Sequence, residues 1–316
     1  MKKTGFLYDK RYLQHLTGAY HPETSERLTA ILKGIQEADF YSSIINIEAK
    51  PADIETIETV HTKEYIKRFK QACLNHESIF ECPDNQICSD SYDIALLAVG
   101  GVLTAADMIM EGRLNNAFCA IRPPGHHAEI DRGMGFCYFN NVAIAAKHLQ
   151  RKWNIKKVGI IDIDVHHGNG TEHIFEKDPS VFYYSIHEHP SFAYPGTGRD
   201  FDIGNDAGAG FTKNSPVLPG RGIEEYKKLF MQDCIPEFEK FKPEVIITST
   251  GFDAHEDDEM SRIQLSTKGF SWLAKQIVNL ADTYCQSRLL SVLEGGYSIK
   301  RLPELARNHI KILLNS

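Results

Sequence analysis

Short apolar runs that alternate with helical patterns constrain the fold of this chain more than any other feature of its sequence. Each run is rich in β-branched residues and apolar throughout, which is typical of strands buried on both faces of a parallel sheet. The predicted strands are Asn116–Ile121, Lys157–Val165, Val181–Ile186, Glu244–Thr250 and Arg288–Leu293. The helical patterns lie at Tyr92–Met110, Asn141–Gln150, Ile223–Phe241 and Thr267–Gln286. This alternation predicts an α/β fold with an open, mostly parallel central sheet and helices on both faces.

Residues with acid–base or metal-binding side chains follow each predicted strand directly. They are His126 and His127 after the first strand, Asp164 and His166 at the end of the second, His187 after the third, Asp253 after the fourth and Tyr297 after the fifth. Ligand sites in sheets of this kind form outside the carboxyl ends of the strands. The sequence therefore predicts that five strands deliver these side chains to one edge of one sheet.

The segment from Asp162 to His166 carries the pattern of a metal site. If it is a strand, Asp164 and His166 point the same way, because alternate residues share a face. Asp162 has the same parity but lies about 7 Å further back along the strand. With Asp253 as a third ligand, the set is typical of a catalytic zinc ion, which keeps its fourth position open. The alternative is that these acids cap helices, but carboxylates buried among isoleucine and valine need a partner or a metal.

Two further elements carry the chemistry of a hydrolase. His126 and His127 follow a Pro-Pro-Gly turn, which holds them on a rigid loop. One imidazole can take a proton from a metal-activated water while its neighbour supports charge. Tyr297 follows Gly295-Gly296 and could donate a hydrogen bond to a developing oxyanion. The alternatives are a surface histidine pair and a tyrosine that only packs in the core.

Composition excludes several classes of protein. The chain has 316 residues and a formal net charge of −7. This charge argues against direct nucleic-acid binding. It either favours cationic substrates weakly or serves solubility alone.

No linker or repeat divides the chain, so we expect one domain over residues 1–316. No run approaches the ~18 apolar residues of a membrane span, and charged residues follow the N-terminal lysines where a signal peptide is apolar. The seven cysteines are scattered, so we expect a cytoplasmic protein without a disulfide framework.

Motifs along nearly the whole chain resemble those of the histone deacetylase family. The resemblance is to the class II-like branch, which includes bacterial histone deacetylase-like amidohydrolases and acetylpolyamine amidohydrolases. The motifs are Tyr8-Asp9, His21-Pro22-Glu23 leading to Arg27, Val60-His61 leading to Glu64-Tyr65, Arg122–Ala128, Gly135–Asn141, Asp162–Thr171, Tyr194–Gly198, Gly251–Ala254 and Glu294–Tyr297.

The resemblance implies the single-domain arginase–deacetylase fold and assigns the reacting groups. Zn²⁺ would be held by Asp164, His166 and Asp253. His127 would be the general base and acid, with His126 as its electrostatic companion, and Tyr297 would polarise the substrate carbonyl.

Further residues are assigned by the same resemblance. Asp162 would lie behind His126, and Asn169 would lie behind His127, where class I relatives carry aspartate. A neutral partner should leave His127 less readily protonated, which favours its role as a base. The remaining implied positions are Gly135, Phe136 and Tyr194 in the substrate tunnel and Arg27 in an acetate channel. A structural K⁺ ion is also implied, held by backbone oxygens of Asp162, Asp164 and His166 and by groups at Ser185 and Ile186.

The implied activity is zinc-dependent hydrolysis of the acetyl amide of N-ε-acetyl-lysine in proteins or peptides, with release of acetate. The alternative is an acetylpolyamine or other small-molecule deacetylase, in which a glutamate gatekeeper follows the third zinc ligand. The matching position here is Met260, which suits an acyl-lysine stem, although Glu259 is its neighbour. The acidic segment 256–259 is either a solvated loop or an attractor for cationic substrates. A binding module without catalysis and an arginase-type ureohydrolase fit the motifs less well. The sequence gives no oligomeric state.

Overall fold

A parallel sheet forms the centre of the computed structural model, which describes residues 2–315. The strands are β1 (Thr4–Leu7), β2 (Ile45–Ile47), β3 (Ile79–Phe80), β4 (Cys82–Gln86), β5 (Asn116–Cys119), β6 (Val158–Asp162), β7 (Val181–Glu188), β8 (Thr212–Val217), β9 (Val245–Thr250) and β10 (Leu289–Leu293). Within the described residues, eight of them form one sheet in the order β2-β1-β5-β10-β9-β6-β7-β8, and every neighbouring pair is parallel. Strands β3 and β4 form a separate antiparallel pair.

Helices cover both faces of this sheet. They are α1 (Glu26–Gln36), α2 (Ile54–Ile57), α3 (Lys63–Leu74), α4 (Ser91–Met110), α5 (Asn141–Trp153), α6 (Asn169–Phe175), α7 (Ile223–Leu229), α8 (Ile235–Phe241), α9 (Thr267–Tyr284) and α10 (Leu302–Asn315). Helix α4 packs against α5, whereas α10 packs against α1 and α9. Both α4 and α10 contact β1 and β5, whose residues are all buried, so the two groups lie on opposite faces. The predicted fold class is confirmed.

The five predicted strands are all present, but one bound is wrong in a way that matters for the site. Strand β6 ends at Asp162, three residues before the predicted end at Val165. The backbone leaves the sheet there because carboxylates replace the neighbouring strand as hydrogen-bond acceptors. The N–H of Asp164 donates to Oδ1 of Asp162 at 3.1 Å, and the N–H of Val165 donates to Oδ1 of Asp253 at 2.9 Å.

The helix predicted over Ile223–Phe241 is interrupted by a wider turn. A π-helical turn, Phe230–Cys234, separates α7 from α8, and the N–H of Ile235 reaches back five residues to the carbonyl of Phe230. Pro236 follows directly and has no N–H to continue the usual i to i−4 pattern. The prediction of a helical segment holds, and the prediction of a regular α-helix throughout is wrong.

Helix α4 overturns the expectation that no segment approaches the length and hydropathy of a membrane span. It has 20 residues, and its most apolar 18-residue window has a mean hydropathy of 1.7. The fold accounts for this composition, because 78% of that window is buried inside the protein. A helix that is apolar all round is typical of a core helix in a large sheet protein.

Candidate active site

The loops after several strands meet in a cavity of about 200 Å³ at the carboxyl edge of the sheet. The contributing loops follow β5, β6, β7 and β10, joined by the segment after β9 and by Asp84 of β4. The cavity is lined by Asp84, Pro124, His126, His127, Gly135, Phe136, His166, Tyr194, Met260, Gly295 and Tyr297. Of the side chains predicted at strand ends, His126, His127, His166 and Tyr297 line this cavity, whereas His187 lies within β7 and is not among the lining residues in the described part of the chain.

Asp164, His166 and Asp253 form a buried cluster beside this cavity. One ligand atom of each lies within 4.8 Å of the others. Nδ1 of His166 lies 3.2 Å from Oδ1 of Asp164 and 3.2 Å from Oδ2 of Asp253. Asp164 and His166 lie in the loop beyond β6, so the prediction that strand alternation aims them is wrong. Their convergence comes from the turn of the backbone after Asp162.

Backbone amides hold the two carboxylates of this cluster in place. The N–H of Gly295 donates to Oδ2 of Asp164 at 2.8 Å, and the N–H of His166 donates to Oδ1 of the same residue at 2.9 Å. Gly295 has to be glycine, because a Cβ there would lie 2.0 Å from Oδ2 of Asp253. The orientation of the cluster is therefore set by the loop backbone.

The chemistry of the cluster fits a divalent cation. Asp253 is fully buried, and its Oδ2 makes no hydrogen bond with any of residues 2–315. Burial and the neighbouring carboxylate of Asp164 raise the pKa of Asp253 to about 7. Two buried carboxylates and one imidazole are a costly arrangement without a cation, and they match the ligand types of a three-ligand zinc site.

His126 is bound from behind by a carboxylate. Its Nδ1 lies 3.0 Å from Oδ2 of Asp162, which also accepts a hydrogen bond from the hydroxyl of Tyr183. Burial by itself lowers the pKa of His126, but the carboxylates of Asp162 and Asp164 outweigh burial and raise that pKa. His126 is therefore the charged member of the histidine pair, with its Nδ1 protonated.

His127 is bound from behind by a neutral amide. Its Nδ1 lies 2.8 Å from Oδ1 of Asn169. Burial, followed by the positive charges of His126 and His166, lowers the pKa of His127 well below its ordinary value. The rings of His126 and His127 are 4.0 Å apart between centroids, so the two imidazoles are close enough for one to control the charge of the other.

Tyr297 lies across the cavity and is packed against Arg27. The guanidinium of Arg27 lies 4.9 Å from the centroid of the tyrosine ring. Arg27 is fully buried, donates to the carbonyl of Gly296 at 2.6 Å and pairs with Glu23 at 2.9 Å. Burial raises the pKa of Tyr297 well above its ordinary value, so its hydroxyl is a neutral donor.

Aromatic rings form the walls of the cavity. The ring of Tyr194 lies 5.1 Å from that of His127, and the ring of Phe136 lies 6.1 Å from that of Tyr297. The pair β3–β4 supports this wall, because Oδ1 of Asn85 accepts the N–H of Phe136 at 2.8 Å. Gly135 has φ of 57°, and a Cβ there would lie 2.4 Å from the ring of His127.

Three of the four acids in segment 256–259 are exposed, as expected of a solvated loop, whereas Asp258 is buried. Asp258 is 5% exposed, and its carboxylate accepts the N–H groups of Tyr297, Ser298 and Met260 at 2.6, 2.9 and 3.0 Å. Asp257 pairs with Arg301 at 2.5 Å. Two of the four acids are thus held by protein groups, while Met260 lines the cavity.

Sequence reasoning missed the role of Glu294, which is fully buried beneath the histidine loop. Its Oε2 accepts the N–H groups of Gly125 and His126 at 2.7 and 3.2 Å, and its Oε1 accepts the hydroxyl of Ser249. The signal in the sequence was that Glu294 directly follows the apolar strand β10, where a carboxylate is buried and needs a hydrogen-bond partner. Glu23 was also missed as the shared carboxylate of two buried arginines, Arg27 and Arg122.

Of the residues implied for a potassium site, Asp162, Ser185 and Ile186 lie in the paired strands β6 and β7, and Asp164 and His166 lie in the loop beyond β6. Asp162 is opposite Ser185 in the register of β6 and β7. Nε2 of His187 faces the carbonyl of Gly198 at 2.8 Å and is therefore protonated, so its Nδ1 accepts the Ser185 hydroxyl at 2.8 Å. The lone pairs of the serine oxygen stay available to a cation.

Comparison with known proteins identifies the family of this fold and site. Residues 21–313 match the family model for the histone deacetylase domain. The chain is 38% identical to a probable deacetylase of Archaeoglobus fulgidus, over 94% of this chain and 82% of that protein. It is 33% identical to the histone deacetylase-like amidohydrolase of Pseudomonas aeruginosa, over 96% of this chain and 83% of that protein. The crystal structure of the HDA15 HD domain superposes with a TM-score of 0.91 at 34% identity, covering 99% of this chain and 91% of that one. The chain belongs to the histone deacetylase family, which confirms the resemblance.

Proposed function

We propose that this protein is a zinc-dependent deacetylase that hydrolyses the acetyl amide of N-ε-acetyl-lysine in proteins or peptides. Relatives named as a deacetylase and as an amidohydrolase support amide deacetylation. The observation that carries the proposal is the cavity lined by the histidine pair, by Tyr297 and by His166, the last of which belongs to the Asp164–His166–Asp253 cluster. A zinc ion bound by that cluster supplies Lewis acidity toward a carbonyl oxygen.

His127 is the base in the proposed reaction. Its Nδ1 carries a proton because that atom faces Oδ1 of Asn169, so the lone pair is on Nε2. Its lowered pKa keeps the ring neutral at pH 7, ready to accept a proton from the attacking water. The same ring then gives that proton to the departing amine, and the positive charge of His126 beside it favours this release. The neutral hydroxyl of Tyr297 donates to the oxyanion that develops on the carbonyl.

An acyl-lysine side chain suits the cavity better than a free polyamine does. Phe136 and Tyr194 flank it with rings, and Met260 adds an apolar side chain at the gatekeeper position. Glu259 is exposed and is not among the lining residues in the described part of the chain. One observation favours the polyamine alternative, because the acidic residue Asp84 also lines the cavity.

The test is kcat/KM of the zinc-loaded protein on an acetyl-lysine peptide and on acetylated spermidine, measured side by side. We expect a clear preference for the peptide, and loss of both activities in Asp253→Asn together with loss of bound zinc. A preference for the polyamine would select the alternative substrate class. Zinc binding without turnover of either substrate would contradict the proposed function.

We also propose that Asp162, Asp164, His166, Ser185 and Ile186 surround a structural K⁺ ion. The free lone pairs of the Ser185 hydroxyl support this assignment. Replacing K⁺ by a large organic cation in the buffer should lower the thermal midpoint of the wild-type protein by more than that of Ser185→Ala, which has lost one of the ligands. An equal shift in both proteins would contradict the site.

A further inference from the structure

The amide of Asn169 is itself held by a carboxylate that the proposed mechanism does not use. Nδ2 of Asn169 donates to Oε1 of Glu129 at 2.6 Å. Glu129 is half-buried, and the same oxygen lies 2.8 Å from Nδ1 of His173. His127, Asn169 and Glu129 therefore form a continuous chain of hydrogen bonds that begins at the cavity and ends near the surface.

This arrangement fixes which way round the amide of Asn169 lies. The other atoms near its Nδ2 are also acceptors, since the carbonyl of His127 is at 3.5 Å and Sδ of Met134 is at 3.4 Å. A rotated amide would place its carbonyl oxygen against a carboxylate oxygen and its NH₂ group against His127. An ionised carboxylate accepts hydrogen bonds only, so Glu129 selects the orientation with Oδ1 toward the imidazole.

We infer that Glu129 is a positioning residue for His127, which acts through Asn169. This inference rests on the proposed function, because it concerns the residue assigned as the base. The carboxylate holds the amide so that its oxygen accepts Nδ1–H of His127, and this bond keeps the lone pair on Nε2. A charge-assisted hydrogen bond to one end of the amide also polarises the other end, which strengthens the bond to the imidazole.

In many active sites a carboxylate accepts a hydrogen bond from the imidazole directly. Here the carboxylate of Glu129 acts on His127 through the amide of Asn169, which lies between them. In the neighbouring histidine the acid is in direct contact, because Asp162 meets Nδ1 of His126. The full negative charge is kept away from His127 by the length of an amide. The imidazole of His127 is oriented by an acceptor at Nδ1, as that of His126 is, but this acceptor carries no charge that would favour the protonated form.

Two single variants separate the charge of Glu129 from its shape. Glu129→Gln can still accept the hydrogen bond from Asn169 but has no charge, whereas Glu129→Ala has neither. We expect kcat to fall about 10- to 100-fold in Glu129→Ala, the range for groups that orient an active-site imidazole from behind, and less in Glu129→Gln. KM should change little in both, because Glu129 does not line the cavity.

A double-mutant cycle with Asn169→Asp gives the sharper result. In that background an aspartate oxygen meets His127 directly, and the other oxygen faces the carboxylate of Glu129. Glu129→Gln should then raise kcat instead of lowering it, because it removes a repulsion between two acids. A residue that only stabilises the loop would give the same loss in both backgrounds, which would overturn the inference.

The tautomer of His127 can be read without any turnover. In ¹⁵N-histidine-labelled protein, with the His127 signals assigned from their loss in His127→Ala, we expect the Nδ1–H form in the wild type and a mixture of tautomers in Glu129→Ala. His173→Ala is the matched control, since it removes the other partner of the same oxygen and should keep both the tautomer and kcat. An unchanged tautomer in Glu129→Ala would refute the inference, whereas an inactive wild type with the expected tautomers would refute only the proposed function.

Discussion

Replacing Asp258 should disconnect the cavity rim from the loop that carries Tyr297. The carboxylate accepts three backbone N–H groups, two from Tyr297 and Ser298 and one from Met260. At about 1.5 kcal/mol for each bond to a charged acceptor, Asp258→Ala should lower the free energy of unfolding by roughly 4.5 kcal/mol. Asp258→Asn keeps the oxygen that faces Tyr297 and Ser298 and should cost about 1.5 kcal/mol.

The same substitution should reduce turnover, because the backbone of Tyr297 loses its anchor. A displacement of about 1 Å in a reacting group costs on the order of 100-fold in rate, so we expect a loss of that size in kcat/KM for Asp258→Ala. The assays are urea denaturation followed by tryptophan fluorescence and kcat/KM on an acetyl-lysine peptide. Zinc content should stay at the wild-type level, since the carboxylate contacts none of the three proposed ligands through the bonds described.

Asp257→Ala is the matched control for this prediction. Asp257 precedes Asp258 but is exposed and pairs only with the side chain of Arg301 among the described residues. We expect neither the stability nor the kcat/KM of this variant to differ measurably from the wild type. Equal effects of the two alanine substitutions, or a stable and fully active Asp258→Ala, would show that the buried carboxylate does not organise the rim.

Three further perturbations test other parts of the structure. Gly295→Ala places a Cβ 2.0 Å from Oδ2 of Asp253 and should abolish high-affinity zinc binding, which a zinc titration would measure while circular dichroism confirms the fold. Glu23→Gln leaves two buried guanidiniums without their carboxylate and should cost about 3–5 kcal/mol of stability, so an unchanged thermal midpoint would contradict the assigned pairing. Burial lowers the pKa of His61 and of His309 to about 4, whereas the unfolded chain binds these protons near 6.5. The folded state therefore binds fewer protons, so stability should fall as the pH is lowered from about 6.5 to about 4, and His309→Gln should flatten that slope in denaturation series across this range.

The sequence predicted the convergence of the site better than it predicted the local geometry. Asp164, His166 and Asp253 do meet, because the ends of neighbouring parallel strands lie at one edge of the sheet. The finer argument from strand alternation failed, since β6 ends at Asp162. Hydrophobic patterning locates strands, but the residue at which a strand stops depends on which acceptors the rest of the fold offers to the backbone.

Hydrophobic patterning did not predict the short and polar strands of the sheet. Strand β2 has three residues, and β8 contains lysine, asparagine and proline, so neither has a continuous apolar run. Pro216 is compatible with β8 because that strand lies at the edge of the sheet, where one side needs no hydrogen-bond partner. The roles of Asp258 and Glu129 were equally hidden, because they depend on bonds to residues about 40 positions away.

The place of β10 in the sheet has a consequence for the synthesis of this protein. It is the last strand in chain order, yet it lies between β5 and β9 near the middle of the sheet. Until residues 289–293 have left the ribosome, the sheet exists at most as two halves, β2-β1-β5 and β9-β6-β7-β8, each with an unpaired edge. Such edges are templates for aggregation. The growing chain therefore exposes two unpaired strand edges until β10 is synthesised. Pairing of β10 with β5 and β9 then completes the sheet and brings Tyr297 to the cavity.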